Sequence, residues 1–389
     1  MKKKFLGILL ACVMVLSACG KETKESEKQT LQVEEEGTRY TMEEVSLPDP
    51  LISENSEGSD YVGDDFSGFV PDLDGKPAVY YSNFSIENEE YYASVTRWSL
   101  DEDKNWVCED LCENSLSEFM NQKYEQVSWG RCSIHDFKRG DDGSLYALFS
   151  YYVKQDVVVE EENTEMIAEK YSVLQMDEEN DSLYEIPLEI APAPQQEKGF
   201  NWETDVEWIG DYHAFEDGNI LMITSDSGGG YGYLIDGENG QMSEEIGNII
   251  TGKRRFAFGE NEVVFFSKNS NRFEVLGIPD LQTYNTFGSG LSEDVLGKDW
   301  YFYMNPDTWE LFMCNTSGIY KAANYQSSDE VECLTEKTNI DELANSDLDI
   351  LDFFAGPEEN FYICMVQTTE EYGVEERQYR IVEYHKEEK

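Results

Sequence analysis

The feature that most constrains this chain is a turn-and-strand unit that recurs six times. In the first half, Asp74-Gly75-Lys76-Pro77 leads into Ala78–Tyr81, Asp142-Gly143 into Leu145–Phe149, and Asp217-Gly218 into Ile220–Ile223. In the second half, Glu260-Asn261 leads into Val263–Phe266, Asn305-Pro306-Asp307 into Trp309–Met313, and Glu358-Glu359-Asn360 into Phe361–Met365. Gly, Asn, Asp and Pro punctuate strands, and runs of Val, Ile, Tyr and Phe suit a pleated surface. The turn acids at 74, 142, 217, 260, 307 and 358 are separated by 68, 75, 43, 47 and 51 residues. The last three spacings suit a propeller blade of roughly 40–50 residues. The two long ones contain extra material. A capping-box sequence, Ser115-Leu116-Ser117-Glu118, predicts a helix over 115–126, with Phe119, Met120 and Tyr124 on one face. The second long spacing holds the acidic stretch Val157–Glu169 and the Ala191-Pro192-Ala193-Pro194 linker. A shorter helix is expected from Thr338, with Ile340 and Leu343 turned inward.

A second apolar run follows each first one, as in Tyr91–Leu100, Phe273–Ile278 and Tyr379–Tyr384, and a weaker third tends to come after it. The runs are nearly continuous rather than alternating, as expected of strands packed on both faces. The expected fold is therefore all-β: a β-propeller of six four-stranded blades, or seven if a long spacing hides a degenerate blade. A pair of β-sandwiches or an irregular β-solenoid is the alternative, and no Gly-His or Trp-Asp repeat signature is present. The final repeat supplies only three strands, Asp349–Ala355, Asn360–Gln367 and Arg377–His385. The β-like stretch Arg39–Leu47 has no blade of its own, so it is expected to close the ring as the outer strand of the last blade.

Charge narrows the partners. The chain has 81 acidic residues against 29 Lys and Arg, for a formal net charge of −52. Nucleic-acid affinity comes largely from neutralising phosphates, so no nucleic-acid partner is expected. Aromatic content of 13% gives enough apolar volume for a large core.

The N-terminus reads as an address. Met1-Lys2-Lys3-Lys4 is a basic opening, and Phe5–Leu16 is apolar except for Gly7. Twelve helical residues span about 18 Å, short of a hydrocarbon core of roughly 30 Å, so the stretch reads as a signal-peptide core rather than an anchor. Leu16-Ser17-Ala18-Cys19-Gly20 resembles the lipobox of bacterial lipoproteins. The resemblance implies cleavage after Ala18 and a diacylglyceryl group on the Cys19 thiol. The expected organisation is a signal peptide at 1–18, a lipid-anchored acidic tether at 19–37 and a propeller at 38–389. The expected location is the extracytoplasmic face of the cell membrane.

Local chemistry is sparse. Cys108, Cys112, Cys132, Cys314, Cys333 and Cys364 form no dense framework and are expected to be reduced. His135, His213 and His385 are far apart, and no zinc-protease helix or nucleophile elbow occurs. Gly228–Gly232 fits no phosphate-cradling pattern and reads as a hairpin tip. Asp72–Gly75 and Asp101–Asn105 read as acidic turns, lacking the ligand ladder of a calcium loop. No metal or cofactor is expected. Trp98, Trp106, Trp129, Trp202, Trp208, Trp300 and Trp309 are candidates for stacking on sugars or, more plainly, for wedging between blades.

The lipobox, the acidic tether and blades that include the Leu311–Lys321 hairpin resemble the N-terminal β-propeller region of clostridial lipoproteins, many of which continue into a solute-binding domain. This sequence ends at Lys389 without one, so the resemblance does not carry a transport role over. The expected function is a non-catalytic recognition or scaffold module, not an enzyme, with a glycan, peptide or membrane-protein partner. A glycan- or peptide-binding accessory of a transporter is one alternative, and a carbohydrate-active hydrolase or lyase is another. Acids and aromatics converging on a central cavity would favour a sugar; an apolar plug would favour a scaffold.

Overall fold

The computed structural model describes residues 40–48, 66–87, 90–124, 127–159, 162–178, 180–188, 208–225, 230–243, 247–249, 255–335, 349–371 and 374–386. The chain divides into two units, Met1–Gly37 and Thr38–Lys389, and every described residue belongs to the second. Cys19 and the helix expected from Thr338 lie outside the described residues.

Six four-stranded antiparallel sheets make a six-bladed propeller. Blade 1 is β2 (Phe66–Pro71), β3 (Pro77–Glu87), β4 (Glu90–Leu100) and β5 (Trp106–Leu111). Blade 2 is β6 (Val127–Arg139), β7 (Leu145–Val159), β8 (Glu162–Asp177) and β9 (Ser182–Leu188). Blade 3 is β10 (Trp208–Ala214), β11 (Ile220–Ser225), β12 (Gly230–Ile235) and β13 (Gly247–Ile249). Blade 4 is β14 (Ala257–Phe258), β15 (Glu262–Ser267), β16 (Arg272–Gly277) and β17 (Gln282–Phe287). Blade 5 is β18 (Tyr301–Met304), β19 (Leu311–Asn315), β20 (Gly318–Ala322) and β21 (Glu332–Cys333). Blade 6 is β22 (Asp349–Ala355), β23 (Phe361–Glu371) and β24 (Val374–Lys386), completed by β1 (Tyr40–Val45).

The N-terminal strand closes the ring as expected. β1 runs antiparallel to β24, with Tyr40 opposite Lys386 and Val45 opposite Ile381. The first strands of the blades touch one another, β2 against β6 and β22, and β18 against β14 and β22, which makes them the inner wall.

The continuous apolar runs have a simple cause. In β3, Ala78 and Tyr80 pack toward blade 2, whereas Val79 and Tyr81 pack toward blade 6. Among the described residues, the buried apolar side chains fall into six clusters, one at each junction between neighbouring blades. Trp300 illustrates the wedge: it is buried between Phe273 of blade 4, at 4.8 Å, and Tyr320 of blade 5, at 5.3 Å. The junction of blades 1 and 2 adds a buried ion triad. Glu178 accepts from Arg97 at 2.6 Å and from Arg139 at 2.5 Å, with its side chain 6% exposed.

Two local expectations change. The first helix, α1 (Glu113–Tyr124), starts two residues before the capping box. Ser115 sits inside its first turn and donates to the Cys112 carbonyl at 3.2 Å. Leu116 and Met120, rather than Phe119, are its most buried residues. The acidic stretch of blade 2 is not an insertion either, because Val157 and Thr164 pair within one long β7–β8 hairpin. A one-turn helix, α2 (Glu293–Leu296), was not foreseen.

Candidate functional site

Each turn acid of the repeat lies between the first and second strands of its blade, so all six turns share one face of the ring. The local cause is a short polar side chain closing the turn. Asp72 Oδ1 accepts from the Asp74 and Lys76 amides at 2.9 and 2.8 Å. Asp142 accepts from Ser144 at 2.9 Å, and Asn305 from Asp307 and Thr308 at 2.9 and 3.0 Å. Gly75, Gly143 and Gly218 take φ near +80°, which only glycine adopts freely. Asp101 closes a similar turn through Asp103 and Asn105. Both sequences that superficially suggest calcium loops therefore use their first carboxylate on backbone amides.

On this face the turns and the inner strands enclose a cavity of about 850 Å³, to which every blade contributes. The inner strands are bulged where they meet it. Register shifts fall between His135 and Lys138 in β6, Ile209 and Asp211 in β10, and Ile350 and Asp352 in β22. Such bulges re-aim side chains. Asp211 and Asp352 repeat one geometry, each accepting at 2.8 Å from the next residue's amide, Tyr212 or Phe353.

Charges from four blades meet in the channel. Lys138 pairs with Asp211 and lies over the rings of Tyr212 and Phe258, 5.3 and 5.8 Å from their centroids. Arg255 stacks on Tyr301 at 3.9 Å and approaches Asp352 at 3.7 Å. His213 Nε2 meets Asp141 Oδ2 at 3.0 Å, and its ring stacks on Phe258 at 5.0 Å. Enclosure by the surrounding blades raises the Asp352 carboxyl above its ordinary range, against the opposing pull of Arg255 and the Phe353 amide. The side chain nevertheless keeps 43% of its surface open, which is its exposure to channel water. Asp136 goes the other way: burial acts against its charge, but the His135 hydrogen bond and the nearby cations Lys138 and Arg255 outweigh it.

The other candidates disperse. Trp309 lines the cavity, whereas Trp98 and Trp106 pack at the junction of blades 1 and 6. The side chains of Trp129, Trp202 and Trp208 lie outside the described part. Cys314 and Cys364 are buried core residues, and burial pushes both thiols up. Cys108 and Cys333 lie at the surface. His385 joins Glu43 and Glu383 in a group whose ligand atoms lie within 4.8 Å of one another. The Lys104 ammonium already meets that group, at 2.9 Å from Glu383 and 3.4 Å from Glu43.

The charged residues of the channel belong to no local motif, yet the repeat contains a signal for them. Asp136, Asp211 and Asp352 each stand six residues before a turn acid (142, 217 and 358), and each precedes an aromatic residue.

No family model matches this chain, and no curated protein does. Solved structures do. A puromycin hydrolase matches with a TM-score of 0.43 at 9% identity, over 89% of this chain and 50% of that one. The chain thus spans about half the length of that hydrolase. A luciferin-regenerating enzyme matches with a TM-score of 0.41 at 10% identity, over 89% of this chain and 95% of that one. An α-L-arabinofuranosidase from Podospora anserina matches with a TM-score of 0.35 at 11% identity, over 90% and 97%. These likenesses are of fold alone. They correct the expectation that the chain is not an enzyme: the solved structures that match this ring include hydrolases, so a propeller does not mark a non-catalytic module. Nor does the lack of a local motif, because a ring draws its site from six blades far apart in sequence.

Proposed function

We propose that this is a lipid-anchored extracytoplasmic propeller whose working site is the cavity on the turn face, and that the cavity takes a saccharide-sized polar ligand. The observation that carries the reading is the convergence of Asp141, Lys138, His213 and Asp352 with the aromatic residues Phe258, Tyr303 and Trp309 on one 850 Å³ space. Ligand sites are commonly concavities of about 300–1,000 Å³ with apolar walls and a few placed polar groups. A scaffold would have let the channel fill with apolar side chains. Binding of an oligosaccharide panel by the full-length protein in mild detergent tests it. Binding should be lost when Lys138 and His213 are replaced by Ala; retention in that variant, or no binding by the wild type, would count against the site.

A second reading, hydrolysis, is favoured by one observation. Asp352 has a raised carboxyl in the cavity, the property wanted of a general acid. On that reading Asp352→Asn abolishes release of shorter sugars from a bound oligosaccharide while binding persists.

The anchor rests on the lipobox resemblance around Cys19. Cys19→Ser should remove incorporation of labelled fatty acid in cells, since only the thiol accepts the diacylglyceryl group. Equal labelling of wild type and variant would rule out attachment at Cys19.

A further inference from the structure

The charges of the cavity do more than mark it as polar; they select the sign of its ligand. The lining holds eight carboxylates and two permanent cations, Lys138 and Arg139. Both cations are already engaged by carboxylates outside the lining. Lys138 pairs with Asp211, and Arg139 pairs with Glu178, whose side chain is 6% exposed. An anionic ligand would have to break one of these pairs and leave a carboxylate without its cation, at a cost of several-fold to many-fold in affinity.

The carboxylates are not all engaged. Asp352 takes both of its contacts, the Phe353 amide at 2.8 Å and Arg255 at 3.7 Å, on Oδ1, which leaves Oδ2 open to the cavity. At the mouth, Asp307 and Glu358 have no cation within ion-pair distance among the described residues. The walls also accept positive charge. The protein's own Lys138 lies over the aromatic face of Phe258, and both residues line the cavity. A concave mouth with an excess of one sign focuses its field on an entering ion.

We infer that the ligand of this cavity carries protonated amines, and that an amine-bearing oligosaccharide is held with an ammonium against Asp352 Oδ2. The inference rests on the saccharide reading above and narrows its class. The pair to compare is the glucosamine tetramer and its fully N-acetylated counterpart, which share a backbone and differ in charge. Each is titrated calorimetrically into the full-length protein in mild detergent, at low and high salt. The amine form should bind about tenfold or more tightly, the effect of roughly one well-placed ion pair, and the advantage should shrink in high salt and in Asp352→Asn. Asp307→Asn combined with Glu358→Gln, at exposed turn positions, should weaken the amine form alone.

Three outcomes overturn the inference. Equal or tighter binding of the N-acetylated tetramer overturns the charge assignment and leaves the saccharide reading standing. An amine advantage untouched by Asp352→Asn means diffuse attraction to a polyanion, and the site assignment fails. Binding of neither tetramer defeats both the inference and the saccharide reading.

Discussion

Asp352 is asked to be charged in a place that disfavours charge. The surrounding blades raise its carboxyl, and Arg255, stacked on Tyr301 and 3.7 Å away, only partly compensates. An acid whose folded pKa lies above its unfolded value binds its proton more tightly in the native state. Its ionisation therefore costs stability as pH rises from the ordinary carboxylate range through the raised value. Asp352→Asn removes that cost. The variant should have a higher denaturant midpoint than wild type at neutral pH, and the difference should fade below about pH 4, where the native carboxyl is itself neutral. A lower midpoint at neutral pH would mean that the Arg255 contact outweighs the desolvation. A residue that weakens the fold while facing a cavity is what a trade of stability for function looks like.

At the scale of elements, the ring depends on a strand from the other end of the chain. β1 places Tyr40 against Phe361 at 5.4 Å and buries Val45 at the junction with blade 1. It also sets Glu43 directly opposite Glu383, a like-charge pair that Lys104 of blade 1 holds together. Deleting residues 38–47 should open blade 6 and lower stability by several kcal/mol, a large share of the roughly 5–15 kcal/mol a fold possesses. Denaturant midpoint and protease resistance report it, and an unchanged midpoint would refute closure. This strand was legible in the sequence because the final repeat supplies only three strands and the β-like stretch Arg39–Leu47 has no blade of its own. The start of α1 was not, because the left-handed Cys112 at φ 51° and the Ser115 bond to its carbonyl replace the expected cap. The cavity was only half legible. Its turns are periodic and local, but Lys138 with Asp211 and Arg255 with Asp352 are pairs between blades, and the ring alone brings them together.

Over the whole molecule, a net charge of −52 makes the folded ring repel itself. Screening relieves that repulsion over a Debye length of about 10 Å at 0.1 M salt. The melting temperature should therefore rise as sodium chloride is added from very low ionic strength to the physiological range, and a flat or falling curve would show that paired charges dominate. The same charge surrounds the concave mouth on the turn face, where ligand is expected to enter. Hydrogen exchange of the full-length protein, with and without a bound oligosaccharide, is the most direct test. Protection is expected to be confined to the cavity lining, at Phe69–Gly75, Phe137–Asp141, His213, Phe256–Phe258, Phe302–Glu310 and Asp352–Glu359. Protection instead along the β3–β4 and β7–β8 hairpins, with these segments unchanged, would contradict it.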